Sequence, residues 1–82
     1  MMTPLVRDLG VAVRKLREGH AWSQEHLAEI AGLNRSFVGE IERGSTIVSI
    51  VTLEKLARAF DVSIAALLPD HGSAVAPSVD VE

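Results

Sequence analysis

The chain has 82 residues, a net charge of −3 and no cysteine. A chain of this length forms one small domain with a modest core, and the missing thiols exclude a disulfide scaffold, thiol catalysis and cysteine-ligated zinc. All eight Lys and Arg and eight of the eleven acids fall within residues 1–68, a neutral segment, whereas Asp70, Asp80 and Glu82 make the remainder acidic.

Aromatic residues are limited to Trp22, Phe37 and Phe60, so aliphatic side chains must supply the core. No apolar run approaches the ~20 residues of a membrane span. The opening MMTPLVRDLG lacks the charged-then-apolar order of a secretory leader. The expected location is the cytoplasm, with no membrane partner.

Val6, Leu9, Val13 and Leu16 step by threes and fours, which predicts an amphipathic first helix ending near Gly19. A local pattern then recurs: an apolar residue, a Ser or Asn, and an apolar residue four positions later. It appears as Trp22-Ser23 with Leu27, Leu33-Asn34 with Val38, Val48-Ser49 with Leu53, and Val62-Ser63 with Leu67. A Ser or Asn oxygen can accept from exposed first-turn amides. The residue before such a cap can staple onto the fourth helical position. Four further helix starts are therefore predicted, at about 23, 34, 49 and 63. Helix 2 should run from Gln24 to Ala31 and stop at Gly32. Helix 3 should turn Val38 and Ile41 inward and stop at Gly44. Helix 4 should bury Leu53, Leu56, Ala57 and Phe60, and a short helix 5 should close at Pro69. No alternating run predicts a strand, so the fold class is all-α. The closing segment DHGSAVAPSVDVE is small, acidic and Pro-containing. It predicts a mobile tail over 69–82 beside a domain at 1–68.

The stretch AGLNRSFVGEIERG, residues 31–44, carries the functional signal. Two short helices joined through Gly32 make a helix-turn-helix. Ala28 allows a close crossing, with Ile30, Leu33, Val38 and Ile41 filling the space between helices. Arg35 opposes the partial positive charge at the start of helix 3. DNA would explain it, because a helix-turn-helix projects the first turn of its second helix into the major groove. There Asn34, Arg35 and Ser36 could read base edges: Arg on guanine, Asn on adenine, Ser on either. Their structural alternatives are an N-cap for Asn34 and a solvated surface for Arg35 and Ser36. Gly39 removes a side chain that could meet the groove wall or a partner.

The run SQEHLAEIAGLNRSFVGEIERG, with VSIVTLEKLARAF, VSIAALL and VRKLRE around it, resembles the Cro/CI-type (Xre-like) repressors over roughly residues 5–68. Its length and RSFVGEIERG are similar to the controller proteins of restriction-modification systems. The resemblance implies a compact five-helix, lambda-repressor-like domain with its helix-turn-helix at helices 2–3, binding double-stranded operator DNA as a homodimer. It places Glu40 with the base-reading residues Asn34, Arg35 and Ser36. It places Gln24, Arg43, Ser45 and Thr46 against the DNA backbone, and it pairs Arg17 with Glu42 as a structural ion pair. The loop GSTIVS has no basic residue, which predicts fewer phosphate contacts and a shallow salt dependence.

The expected function is a sequence-specific transcriptional regulator on a pseudo-palindromic operator. Its dimer surface is expected around helix 5, at Ile64, Leu67 and Leu68. The alternative is an antitoxin or protein-interaction module that holds a protein partner through the tail. An enzyme is not expected: His20, His26 and His71 lack metal-ligand spacing, and no nucleophile motif or phosphate loop is present. Neither a metal, a cofactor nor a small-molecule effector is expected.

Overall fold

The computed structural model describes residues 4–68. The expected tail at 69–82, and Pro69 as a terminator, lie outside the described residues. Five helices follow in order: α1 (Pro4–Gly19), α2 (Gln24–Ala31), α3 (Arg35–Arg43), α4 (Ile50–Phe60) and α5 (Ile64–Leu67). No strand occurs among the described residues.

The helix starts follow from side-chain chemistry. Ser23, Asn34, Ser49 and Ser63 are all extended N-caps, accepting from the amides of His26, Ser36, Thr52 and Ala66. Pro4 opens α1, where a missing N–H costs nothing.

The helix ends are built as regularly. Ala21, Gly32, Gly44 and Asp61 each take left-handed backbone. After each, the next amide donates five residues back: Trp22 to Arg17, Leu33 to Ala28, Ser45 to Glu40 and Val62 to Ala57, at 2.8–3.1 Å. These are Schellman closures. Trp22, Leu33 and Val62 therefore have two jobs: each is the apolar residue that closes one helix and the one that staples the next. This is why three or four residues suffice for these corners. α1 ends at Gly19, as the sequence suggested, and the left-handed turn that closes it falls two residues later, on Ala21.

Each helix contributes a wholly buried side chain to one core: Val13, Leu27, Val38, Leu56 and Leu67. Trp22, Leu33, Val48, Leu53, Val62 and Ile64 pack around it, half-buried. Ile30 is not one of the residues between the helices. It lies 44% exposed, because the buried side of α2 is set by Leu27, Ala28 and Ala31. Leu67 also departs from expectation. It is spent inside the chain's own core and cannot meet a second copy, whereas Leu68 remains 40% exposed.

The most extensive helix contact is α1 on α3. Gly10 makes it possible, since a Cβ there would overlap the backbone oxygens of Ile41 and Glu42. At the far end of α1, His20 stacks on Trp22 at 4.3 Å, and Trp22 stacks on Phe60 at 5.6 Å, tying the α1–α2 corner to α4.

Candidate nucleic-acid interface

The outer face of α3 follows from its buried one. Val38 and Ile41 point into the core, so Ser36, Glu40 and Arg43, spaced at four and three, form the opposite stripe. Arg35 and Gly39 flank it. Asn34, Arg35, Ser36 and Arg43 are exposed and Glu40 is half-buried. Among the described residues, the Arg35 side chain makes no hydrogen bond or ion pair, at a helix end that does not favour a cation. Asn34 is partly committed: its Oδ1 accepts from the Ser36 amide at 2.7 Å, leaving its Nδ2 group to donate elsewhere.

Gln24 opens α2 beside the middle of α3. Its Nε2 donates to Glu42 Oε1 at 3.0 Å, and one further N–H remains. Glu42 is also held by Arg17, through Nε to Oε2 at 2.7 Å and Nη2 to Oε1 at 3.1 Å, while Arg17 Nη1 donates to the Trp22 carbonyl at 2.7 Å. The two side chains are only 14% and 4% exposed. The hydrogen bond to Glu42 raises the Arg17 pKa above its ordinary value, against the opposing effect of burial. A raised folded-state value means that the guanidinium's contribution is complete below the ordinary range and is lost only as pH climbs beyond it. The pair thus locks α1, the start of α2 and the end of α3 behind the exposed face.

Arg43 lies back along α3, with its Nη1 only 3.1 Å from where a Gly39 Cβ would stand. After Gly44 come exposed Ser45, whose Oγ donates to the Glu40 carbonyl at 3.2 Å, and half-buried Thr46, with a long 3.5 Å donation to the Ile47 carbonyl. The structure therefore gathers Gln24, Gly39 and Arg43 at one flank of α3 and sets Ser45 and Thr46 beyond its end.

Arg7 carried no signal in the sequence. This exposed residue's backbone abuts Gly44, so α1 brings another cation toward the same corner. Its place depends on how α1 crosses α3, which no local pattern records. Among the described residues there is no pocket and no group of His, Asp or Glu arranged to hold a metal. No helix there is long and apolar enough to cross a membrane.

A helix-turn-helix family model matches residues 13–67. The chain is 43% identical over 60 residues to the control protein C.SmaI of Serratia marcescens, covering 73% of this chain and 71% of that protein. It spans only 43–57% of the next three curated relatives, two of which are described as a transcriptional regulator and a repressor. Its fold matches the restriction-modification controller protein C.AhdI of Aeromonas hydrophila, with a TM-score of 0.74 and 44% identity over 76% of this chain and 94% of that one. It also matches SinR, a Bacillus subtilis regulator, in a structure solved with DNA, with a TM-score of 0.68 and 37% identity over 72% of this chain and 95% of that one.

Proposed function

This chain belongs to the helix-turn-helix family, and we propose that it is a transcriptional regulator that binds a pseudo-palindromic operator in duplex DNA as a homodimer, as a restriction-modification controller would. The observation that carries this reading is Arg35: an exposed cation without a partner among the described residues, at the first position of α3, where helix stability disfavours it. A major-groove guanine would supply the missing partner. In this reading Arg35, Ser36, Glu40 and the Nδ2 group of Asn34 face base edges. Gln24, Arg43, Ser45 and Thr46 face phosphates. Residues 1–68 are the DNA-binding unit, residues 69–82 are an appended tail, and the protein works in the cytoplasm. The family is one of DNA-binding regulators, not of enzymes.

The second copy would cover apolar side chains that the monomer leaves exposed. With Leu67 committed to the core, these are Leu68, half-buried Ile64, and Ile47, Ile50 and Val51 around the start of α4. Two recognition helices would then enter successive major grooves about 34 Å apart.

The test is selection of random duplex DNA by the purified protein at near-physiological salt. The expected product is an inverted repeat with half-sites about one helical turn apart. A folded protein that enriches no sequence would reject the reading and turn the search toward a protein partner.

A further inference from the structure

A glycine at the centre of a nine-residue helix needs a reason, because it weakens the helix relative to alanine. Gly39 has neither usual reason. Its backbone is not left-handed, unlike that of Gly32 and Gly44. No neighbouring backbone crowds it, unlike Gly10. The atoms that a Cβ would meet belong to two side chains: Arg43 Nη1 at 3.1 Å, Gln24 Oε1 at 3.7 Å and Arg43 Cζ at 3.9 Å. Gly39 lies on the flank of the outer face, yet it is buried. Those two polar ends cover it.

We propose that Gly39 is a positioning residue for the DNA backbone contact, its missing side chain letting the Arg43 guanidinium fold back beside the Gln24 amide so that both address one phosphate. The proposal rests on the reading that Gln24 and Arg43 face DNA. Gln24 is itself held by Glu42, so it cannot follow Arg43 if Arg43 is pushed away. A methyl at position 39 forces the guanidinium outward by a few tenths of an ångström, and a longer side chain occupies its place. The helix thus gives up stability at its centre for a cation held at a set distance from a fixed amide.

The experiment compares wild type, Gly39→Ala, Gly39→Leu, Arg43→Ala and the double variant Gly39→Leu/Arg43→Ala. The probe is one fluorescent duplex of arbitrary sequence, because phosphate contacts do not depend on sequence. Affinity is read across a salt series, and thermal unfolding alongside it. Arg43→Ala should reduce the salt slope by about one. Gly39→Leu should do the same, and the double variant should bind like Arg43→Ala. Gly39→Ala should melt higher than wild type while binding a few-fold more weakly; a structural role alone would not produce that opposition, and this variant decides the matter if leucine prevents folding. Wild-type binding by both Gly39 variants, with Arg43→Ala weakened, would overturn the proposal and spare the phosphate reading. A double variant weaker than Arg43→Ala would also overturn it, by showing that the added side chain strikes the DNA directly. Wild-type binding by Arg43→Ala would remove the phosphate reading and the proposal together.

Discussion

Arg35 and Arg17 show how differently one side-chain type can be used. Arg35 is exposed and unpartnered among the described residues, whereas Arg17 spends its guanidinium on Glu42 and the Trp22 carbonyl. Arg35→Ala should therefore leave the fold intact. It should weaken operator binding by ~1–3 kcal/mol and relax specificity at one base position. Repeating the DNA selection with the variant checks this, and an unchanged consensus would assign the reading to another residue. Glu42→Ala should do the reverse. It strands a mostly buried guanidinium and releases Gln24, at a cost of about 3–5 kcal/mol, read as a fall in the denaturant midpoint. A loss confined to DNA affinity, with stability unchanged, would contradict the structural role. Arg35 stood out in the sequence because it breaks a local rule about helix ends. The Arg17–Glu42 pair, 25 residues apart, had no local signature and came only through resemblance. The tie from Gln24 to the same carboxylate was not anticipated at all.

The helix corners divide into those that local chemistry writes and those that tertiary packing demands. Ser23, Asn34, Ser49 and Ser63 could be read as caps because capping involves only the next three residues. Gly32 and Gly44 could be read as ends because glycine is the residue that turns left-handed without strain. Gly19 likewise marked the end of α1, but the left-handed Schellman closure falls two residues later, on Ala21 at φ 60°. An L-residue with a Cβ pays for that conformation, so Ala21→Gly should raise stability by ~1 kcal/mol. A lower melting temperature would mean that the entropy of an added glycine outweighs the strain. Gly10 is the opposite case. Its glycine is required by the carbonyls of Ile41 and Glu42 across the α1–α3 contact, not by its own backbone angles. Gly10→Ala improves helix propensity yet should destabilise by about 1–3 kcal/mol as the two helices are forced apart. A variant as stable as wild type would show that α1 can shift without loss. Ile30 erred for a related reason, since a short helix of eight residues offers several plausible apolar faces, and the crossing angle selects one.

At the scale of the whole molecule, charge and apolar surface must together explain how a neutral domain holds DNA. Residues 1–68 balance eight basic against eight acidic side chains, so bulk attraction is weak and affinity must come from placement and, in the proposed dimer, from pairing two copies. Two exposed ion pairs, Arg14–Glu18 and Arg58–Glu54, lie along single helices and contribute little. Of the residues expected to pair two copies, Leu67 is unavailable. Helix 5 is four residues long and its buried side chain, Leu67, is needed to close the core. What a second copy can reach is Leu68 and half-buried Ile64 together with Ile47, Ile50 and Val51, the last three 73%, 75% and 59% exposed. Ile50 touches little within its own chain, so Ile50→Asp should keep the helical spectrum and the melting temperature of the monomer. A carboxylate in the middle of an apolar contact between two copies must be desolvated without a partner. The variant should therefore sediment as a monomer at concentrations where wild type is a dimer. It should also lose affinity for an inverted repeat far more than for a single half-site, because the two recognition helices no longer arrive together. A dimer that survives Ile50→Asp would place the contact elsewhere, with Leu68→Asp as the next substitution to test. If wild type is monomeric in solution yet two copies occupy the inverted repeat, pairing depends on the operator, and the half-site spacing is set by the DNA.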